Sequence, residues 1–175
     1  MKNLREILMQ RRSIRKYTTD LITKDEQKSI LEAGLMAPTS KNSRPWNFIV
    51  VDDKETLEQL GKCKKFGAMS VAGCAMAVVV VADSSLSKAW IEDCSIAAAF
   101  MQLRVEELGM GSCWVQIRER MFDENTTAQQ YVKNLLSIPE EMEVECILTI
   151  GHKAEERKPL DPEKALWERV HQNKW

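Results

Sequence analysis

The stretch 76–82, Met-Ala-Val-Val-Val-Val-Ala, constrains this chain more than any other. Its valines are stiff at χ1 and favour extended backbone. It has no polar side to turn to water. A strand apolar on both sides must be covered on both faces, which puts it inside a sheet with helices packed around it. Extended by Ala75, it is also the longest apolar run in the chain. That falls well short of the ~20 residues a membrane-crossing helix needs, so no membrane partner is expected.

The remaining elements follow from periodicity and punctuation. Residues 3–10 read as a helix with Leu4, Ile7 and Leu8 on one face. Thr23 with Glu26 forms a capping-box signature that opens a second helix, carrying Ile30 and Leu31 and ending near Met36. Residues 37–45 are rich in turn formers and close on Pro45. Residues 47–51 read as a strand and Lys54–Leu60 as a short helix. Residues 87–108 form the longest helix, apolar on more than one side and therefore central. Gly109 is a helix-stop residue. Residues 113–117 read as a strand, Ala128–Leu136 as a helix ended by Ile138-Pro139, and residues 144–150 as the last core strand. Strict βαβ alternation is absent. The expected class is α+β: a central mixed or antiparallel sheet of about four or five strands surrounded by helices. With 175 residues, 44% of them hydrophobic, the chain fits a single domain over 1–175.

Composition removes several functions. The net charge of −1 and pI near 6.2 disfavour a general nucleic-acid binder. The five cysteines are odd in number, widely spaced and without a C-x-x-C pair, which points to a reducing, cytoplasmic compartment. The first residues lack the apolar block of a signal peptide, in keeping with that expectation. His152 and His171 have no thiolate pair nearby, so no metal site is expected. There is no P-loop and no G-x-S-x-G. Gly109-Met110-Gly111 begins like a dinucleotide fingerprint, but Trp114 stands where the third glycine belongs. The segment also runs from helix to strand, the reverse of the required order.

Three constellations remain. Arg11-Arg12-Ser13-Ile14-Arg15-Lys16-Tyr17 gathers cations and a hydroxyl suited to a phosphate monoester; by composition alone it reads more readily as a solvated helix end. Ala37-Pro38-Thr39-Ser40-Lys41-Asn42-Ser43-Arg44-Pro45-Trp46 can offer donors and acceptors to a polar ring edge. It is also an ordinary helix-to-strand turn with Trp46 as a core anchor. Gly109-Met110-Gly111-Ser112-Cys113-Trp114-Val115-Gln116 lets backbone approach closely beside a flat indole, or simply stops a helix before a strand.

In this order and spacing the three resemble the nitroreductase family of flavoproteins. That family carries Arg-x-Ser-x-Arg-x-[Tyr/Phe] after its first helix, as at Arg11 to Tyr17. It carries Ala-Pro-[Ser/Thr]-x-x-Asn-x-Gln-Pro-Trp before the first sheet strand, as at Ala37 to Trp46. It carries Leu-Gly-[Leu/Met]-Gly-[Ser/Thr]-Cys-Trp after the central helix, as at Leu108 to Trp114. Ile138-Pro139-Glu140 and the strand ending at Gly151 match its later turn. The resemblance implies the family's intertwined homodimer and FMN as cofactor. It implies reduction by NAD(P)H and ping-pong delivery of hydride to a small oxidant, with the flavin rather than a catalytic side chain carrying the chemistry. It aligns Arg11, Ser13 and Arg15 with positions that hold the flavin phosphate and pyrimidine side, and Arg12 with a position that is often basic. Pro38, Thr39, Ser40 and Asn42 match a loop that reaches the other subunit's FMN. Trp114, Val115 and Gln116 match the segment beside the ring, where a backbone N–H faces N5. Lys153 and Arg157 fall where a further phosphate cation is often found.

Two departures stand out. Arg44 replaces the usual Gln before Pro-Trp. Larger members also carry an Asn and a Lys at the pyrimidine edge, where this chain reads Phe66-Gly67-Ala68-Met69-Ser70-Val71; Lys64 or Lys65 takes that contact over, or it is missing. A flavin store or sensor without turnover, or a dehalogenase or flavin-fragmenting member of the superfamily, uses the same binding residues and stays open as an alternative. Residues 151–175 hold 11 charges among Leu166, Trp167, Val170 and Trp175. Too polar for a core and too aromatic for a free tail, they are expected to wrap a partner subunit.

Overall fold

The computed structural model describes residues 3–175; Met1 and Lys2, which open the expected 1–175 domain, lie outside the described residues. Strands β1 (Trp46–Val51), β2 (Met76–Asp83), β3 (Gly111–Gln116) and β4 (Met142–Gly151) form one sheet in the order β1-β2-β4-β3. Every pairing is antiparallel. The all-apolar β2 lies inside, flanked by β1 and β4, and both its faces are covered. Ala77, Val79 and Val81 join a cluster with Leu57, Leu60 and Val132. Met76, Val78, Val80 and Ala82 join a second with Ile30, Ala97, Met101 and Val105.

The register slips once. Val80 pairs with Cys146 but Val81 pairs with Val144, which leaves Glu145 as an extra residue on β4. This bulge explains why Val144 and Ile147 face the same cluster.

Helices α1 (Leu4–Gln10), α2 (Lys24–Leu35), α3 (Lys54–Leu60), α4 (Met69–Ala72), α5 (Trp90–Glu107) and α6 (Ala128–Leu136) surround the sheet. The capping box at Thr23 is complete, with both reciprocal bonds made, and Asn3 with Glu6 makes another at α1. The single turn α4 has too few residues to show a period. The central helix starts at Trp90, three residues later than its apolar pattern, because Ser87 diverts the chain. Its Oγ accepts from the Ala89 N–H at 3.1 Å and donates to Asp93 at 2.9 Å, a turn that competes with helix.

The two glycines after α5 act differently. Gly109 takes φ +80°, the left-handed conformation that ends a helix. Gly111 makes room: a Cβ there would sit 2.7 Å from the Cβ of Ile14. The segment after α1 therefore lies directly on β3, with Ser13 bridged to Ser112 and the Ile14 N–H donating to the Ser112 carbonyl at 2.9 Å. Gly111→Ala should cost about 1–3 kcal/mol through this clash. At ~2–4 °C per kcal/mol the melting temperature should drop by roughly 2–12 °C. A thermal melt superimposable on the parent would show that Ile14 gives way freely.

Beyond β4 the chain turns back along α1. The Ala154 N–H donates to the Lys16 carbonyl at 3.0 Å and the Leu160 N–H to the Met9 carbonyl at 2.7 Å. From Asp161 onward the hydrogen bonds among the described residues stay within the tail, in two short 3-10 turns, Pro162–Lys164 and Trp167–Arg169. Its Leu166, Trp167, Val170 and Trp175 are all exposed. No helix among the described residues is long and apolar enough to cross a membrane.

Candidate functional site

The segment after α1 is pinned at both ends. Tyr17 Oη lies 2.6 Å from the Ile14 carbonyl and 2.6 Å from Thr149 Oγ1, and Gly151 leaves space for its ring. Ile14 is buried against the body. Extended backbone alternates sides, so Arg12 and Ile14 share one side and Arg11, Ser13 and Arg15 the other. On the first side Arg12 and Ile14 line a cavity of about 330 Å³ with Glu106, Lys153 and Arg157.

Charge pairing separates the expected phosphate cations. Lys153 Nζ sits 2.7 and 2.9 Å from the carboxylate oxygens of buried Glu106. Arg157 pairs with Glu155 at 3.0 Å, and the Arg12 guanidinium donates to the Lys158 carbonyl. Arg11 and Arg15 have no carboxylate partner for their guanidinium groups among the described residues; Arg15 reaches only the Ser13 carbonyl, at 3.5 Å. A third cation comes near. Lys64 Nζ donates to the Gln116 carbonyl at 2.8 Å, and burial lowers its pKa. Lys65 is exposed and lies 5.9 Å from the Phe66 ring centroid, so Lys64 is the lysine held at β3. Arg15 and Lys64 both act on one thiol. Burial pushes Cys113 up, while Arg15, a hydrogen bond from the Ser13 side and Lys64 pull it back.

The edge of β3 supplies backbone donors. The Ser112 carbonyl faces outward to Ile14, and the Gln116 carbonyl faces outward to Lys64. A residue's N–H and C=O point the same way in an antiparallel strand, and successive residues alternate. Trp114 and Gln116 therefore offer their N–H groups along this edge, while Val115 turns inward to β4. Val115 contributes a buried side chain. The side chains form a relay: Trp114 Nε1 donates to Gln116 Oε1 at 2.8 Å, and Gln116 Nε2 to the Arg118 carbonyl at 3.2 Å. Arg118 Nε donates at 2.9 Å to Glu145, the bulge residue. Burial pushes the Glu145 carboxyl up and Arg118 draws it down. Sequence reading passed over Glu145; the only carboxylate between Val144 and Ile150 was the available signal.

The loop 37–45 lies elsewhere. It leads into β1, one edge of the sheet, whereas Trp114 to Gln116 lie on β3, the other edge. Three strand spacings of ~4.8 Å separate the edges, roughly 14 Å. Pro38, Ser40 and Asn42 are exposed, and Thr39 is half-buried. The Thr39 hydroxyl accepts from the Arg44 N–H at 3.2 Å, and Arg44 Nε donates to Asn42 Oδ1 at 3.0 Å. Arginine only donates, so the Asn42 oxygen must face Arg44 and its NH₂ group points away. The departure at Arg44 thus orients a neighbour within the loop. Trp46 is buried and stacks on Phe48 with centroids 5.3 Å apart, so the anchor reading of that residue also holds.

The model of the nitroreductase family matches residues 8–68 and 64–152. A candidate NADH dehydrogenase/NAD(P)H nitroreductase of Archaeoglobus fulgidus is 33% identical over the full length of both chains. An NADPH-flavin oxidoreductase of Vibrio harveyi is 27% identical over all of this chain and 75% of its own. Among solved structures, an FMN-dependent nitroreductase from Clostridium difficile superposes with a TM-score of 0.95 at 44% identity, covering 97% of this chain and 98% of that one.

Proposed function

The chain belongs to the nitroreductase family, and we propose on that footing that it is an FMN-dependent oxidoreductase moving hydride from NAD(P)H to a small oxidant such as a nitroaromatic or quinone. The observation that carries this reading is the pair of guanidinium groups, Arg11 and Arg15, left without carboxylates beside Ser13. Two cations and a hydroxyl on one side of an extended segment suit a phosphate monoester, and the donor set therefore fits FMN. Arg11, Ser13 and Arg15 hold the phosphate and pyrimidine side. The edge N–H groups of Trp114 and Gln116 meet the ring. Bound FMN supplies the hydride-carrying chemistry, and the protein supplies position and charge. Cations beside the ring favour the extra negative charge of the reduced state.

Pro38, Thr39, Ser40 and Asn42 stand at the far edge of the sheet from these residues, so they serve the flavin of a second copy. The working unit is then a homodimer of single-domain chains, with the tail 151–175 across its partner. Every cysteine is free and buried, with Cys63 and Cys74 pushed up to about 11 by burial, which suits a reducing cytoplasm and leaves the redox chemistry to the cofactor.

The protein should purify yellow, or turn yellow with FMN, and bleach when NADPH is added without air. A colourless protein with no FMN affinity in a fluorescence titration would end this reading; a yellow one that NADPH and NADH both fail to bleach would make it a flavin store. Because one face of the ring serves both substrates in turn, double-reciprocal plots should be parallel, and intersecting lines would reject ping-pong order.

A further inference from the structure

We infer that Asp93 is a positioning residue: it sets the loop 39–44 in the shape in which one subunit presents it to the flavin site of the other. This rests on the FMN-dimer reading above. Asp93 lies in the first turn of α5 and is 2% exposed. Its carboxylate accepts the Ser40 backbone N–H at 2.7 Å, the Ser87 hydroxyl at 2.9 Å and the Ser43 hydroxyl at 3.3 Å. One buried carboxylate thus ties both ends of the 3-10 turn Ser40–Asn42 to the central helix.

The loop needs such a tie. Lys41, Asn42 and Arg44 have φ of 51°, 56° and 48°, and none is glycine. Left-handed backbone is unfavourable for residues with a Cβ, and a run of it persists only where surrounding contacts enforce it. The side-chain hydrogen bonds within the loop, from Arg44 to Asn42 and to Thr39, lie at the surface and are worth only about 1 kcal/mol each. The buried anchor is Asp93. Without it the loop should sample many shapes, and the Asn42 amide would lose its fixed direction. A ligand must then select the competent fraction, which lowers its apparent affinity.

The geometry dictates an unusual test. The cradle, Arg11 to Arg15, and the loop lie at opposite edges of one chain, so each flavin site combines one chain's cradle with the other's loop. D93A spoils the loop, and the double variant R11A/R15A spoils the cradle. Each homodimer should hold FMN at least tenfold more weakly than the parent. A mixed dimer, unfolded together, refolded and isolated by two different tags, contains one intact site. It should recover about one FMN per dimer at concentrations where both homodimers are mostly empty. An Asp93 needed only for folding would not be rescued by a partner whose own cradle is broken. D93N, isosteric with the parent, replaces D93A should that variant not fold. Its neutral amide oxygen can hold the Ser40 N–H but cannot satisfy all three donors.

A second readout needs no flavin: trypsin should cleave after Lys41 several-fold faster in D93A or D93N apoprotein than in the parent. Parent-like FMN affinity and parent-like cleavage at Lys41 in these variants would overturn the role of Asp93, as would a mixed dimer that stays empty. A parent protein that never binds FMN would instead remove the flavin reading, and the cleavage rates would still report on the anchor.

Discussion

Replacing Arg11 and Arg15 together by alanine should empty the flavin site. Each guanidinium is expected to make a charge-assisted bond worth ~1.5–3 kcal/mol. At 1.4 kcal/mol per decade, either single change weakens FMN binding by roughly 10- to 150-fold. Both act on one ligand, so their effects need not add, and the double variant should lie between about 10² and 10⁴. The expectation is specific because the structure divides the basic residues. Arg12 already donates to the Lys158 carbonyl, and Arg157 is paired with Glu155. Arg12→Ala and Arg157→Ala should therefore weaken binding less than Arg11→Ala. Lys153→Ala removes a partner of buried Glu106 and should register first as a lower melting temperature. Fluorescence titration of apoprotein with FMN reads all of these on one scale. Parent-like affinity in both the Arg11 and Arg15 variants would mean the phosphate is held elsewhere, by the paired cations after rearrangement.

What could be read in advance follows from the range over which each signal acts. The β2 strand announced itself because seven apolar residues in a row have few other uses. The box at Thr23 and the stop at Gly109 are equally local: each is satisfied within a few residues of itself. The antiparallel order β1-β2-β4-β3 was not in the sequence in this sense, because strand neighbours are chosen by contacts across tens of residues. The start of the central helix was misplaced by three residues because apolar period does not register a serine whose side chain holds the preceding turn.

The candidate site divides the same way. Arg11, Ser13 and Arg15 lie in a local run of cations that also reads as a solvated helix end, and only the resemblance to the family's Arg-x-Ser-x-Arg motif singles them out. Lys64 could only be offered beside Lys65, since its distinguishing feature is a bond to a carbonyl 52 residues away. Asp93 looks in sequence like any acid in the first turn of a helix, where the dipole favours it; only folding reveals that it lies beneath a loop 50 residues earlier. Glu145 is similar, as the bulge that turns its carboxylate toward Arg118 depends on the register with β2.

Deleting residues 160–175 should loosen the dimer and drain it of flavin. Trp167 is 73% exposed and Trp175 fully so, with Leu160, Leu166 and Val170 exposed as well. Leaving large apolar side chains in water forfeits ~1.5–3 kcal/mol each. His171 and Trp175 stack on each other with centroids 4.4 Å apart, a contact too small to bury either. The body offers matching surface: Leu4 and Leu8 of α1 and Ile96 and Phe100 of α5, which pack side by side, are exposed too. Obligate dimers commonly bury over ~2,000 Å² in apolar contact. Two such faces joined by two reaching tails are one way for a chain of 175 residues to attain it. If each tail buries two tryptophans on its partner, its removal costs at least ~3 kcal/mol per tail, and the loss of both tails raises the dimer dissociation constant by about 10⁴-fold. Flavin should leave with the partner, because the loop 37–45 and the cradle Arg11 to Arg15 occupy opposite edges of each chain. Sedimentation across a dilution series, with absorbance followed at the flavin band, reads both losses at once. A truncated protein that stays dimeric at nanomolar concentration and keeps its colour would place the tail on its own subunit and leave α1 and α5 to hold the dimer alone.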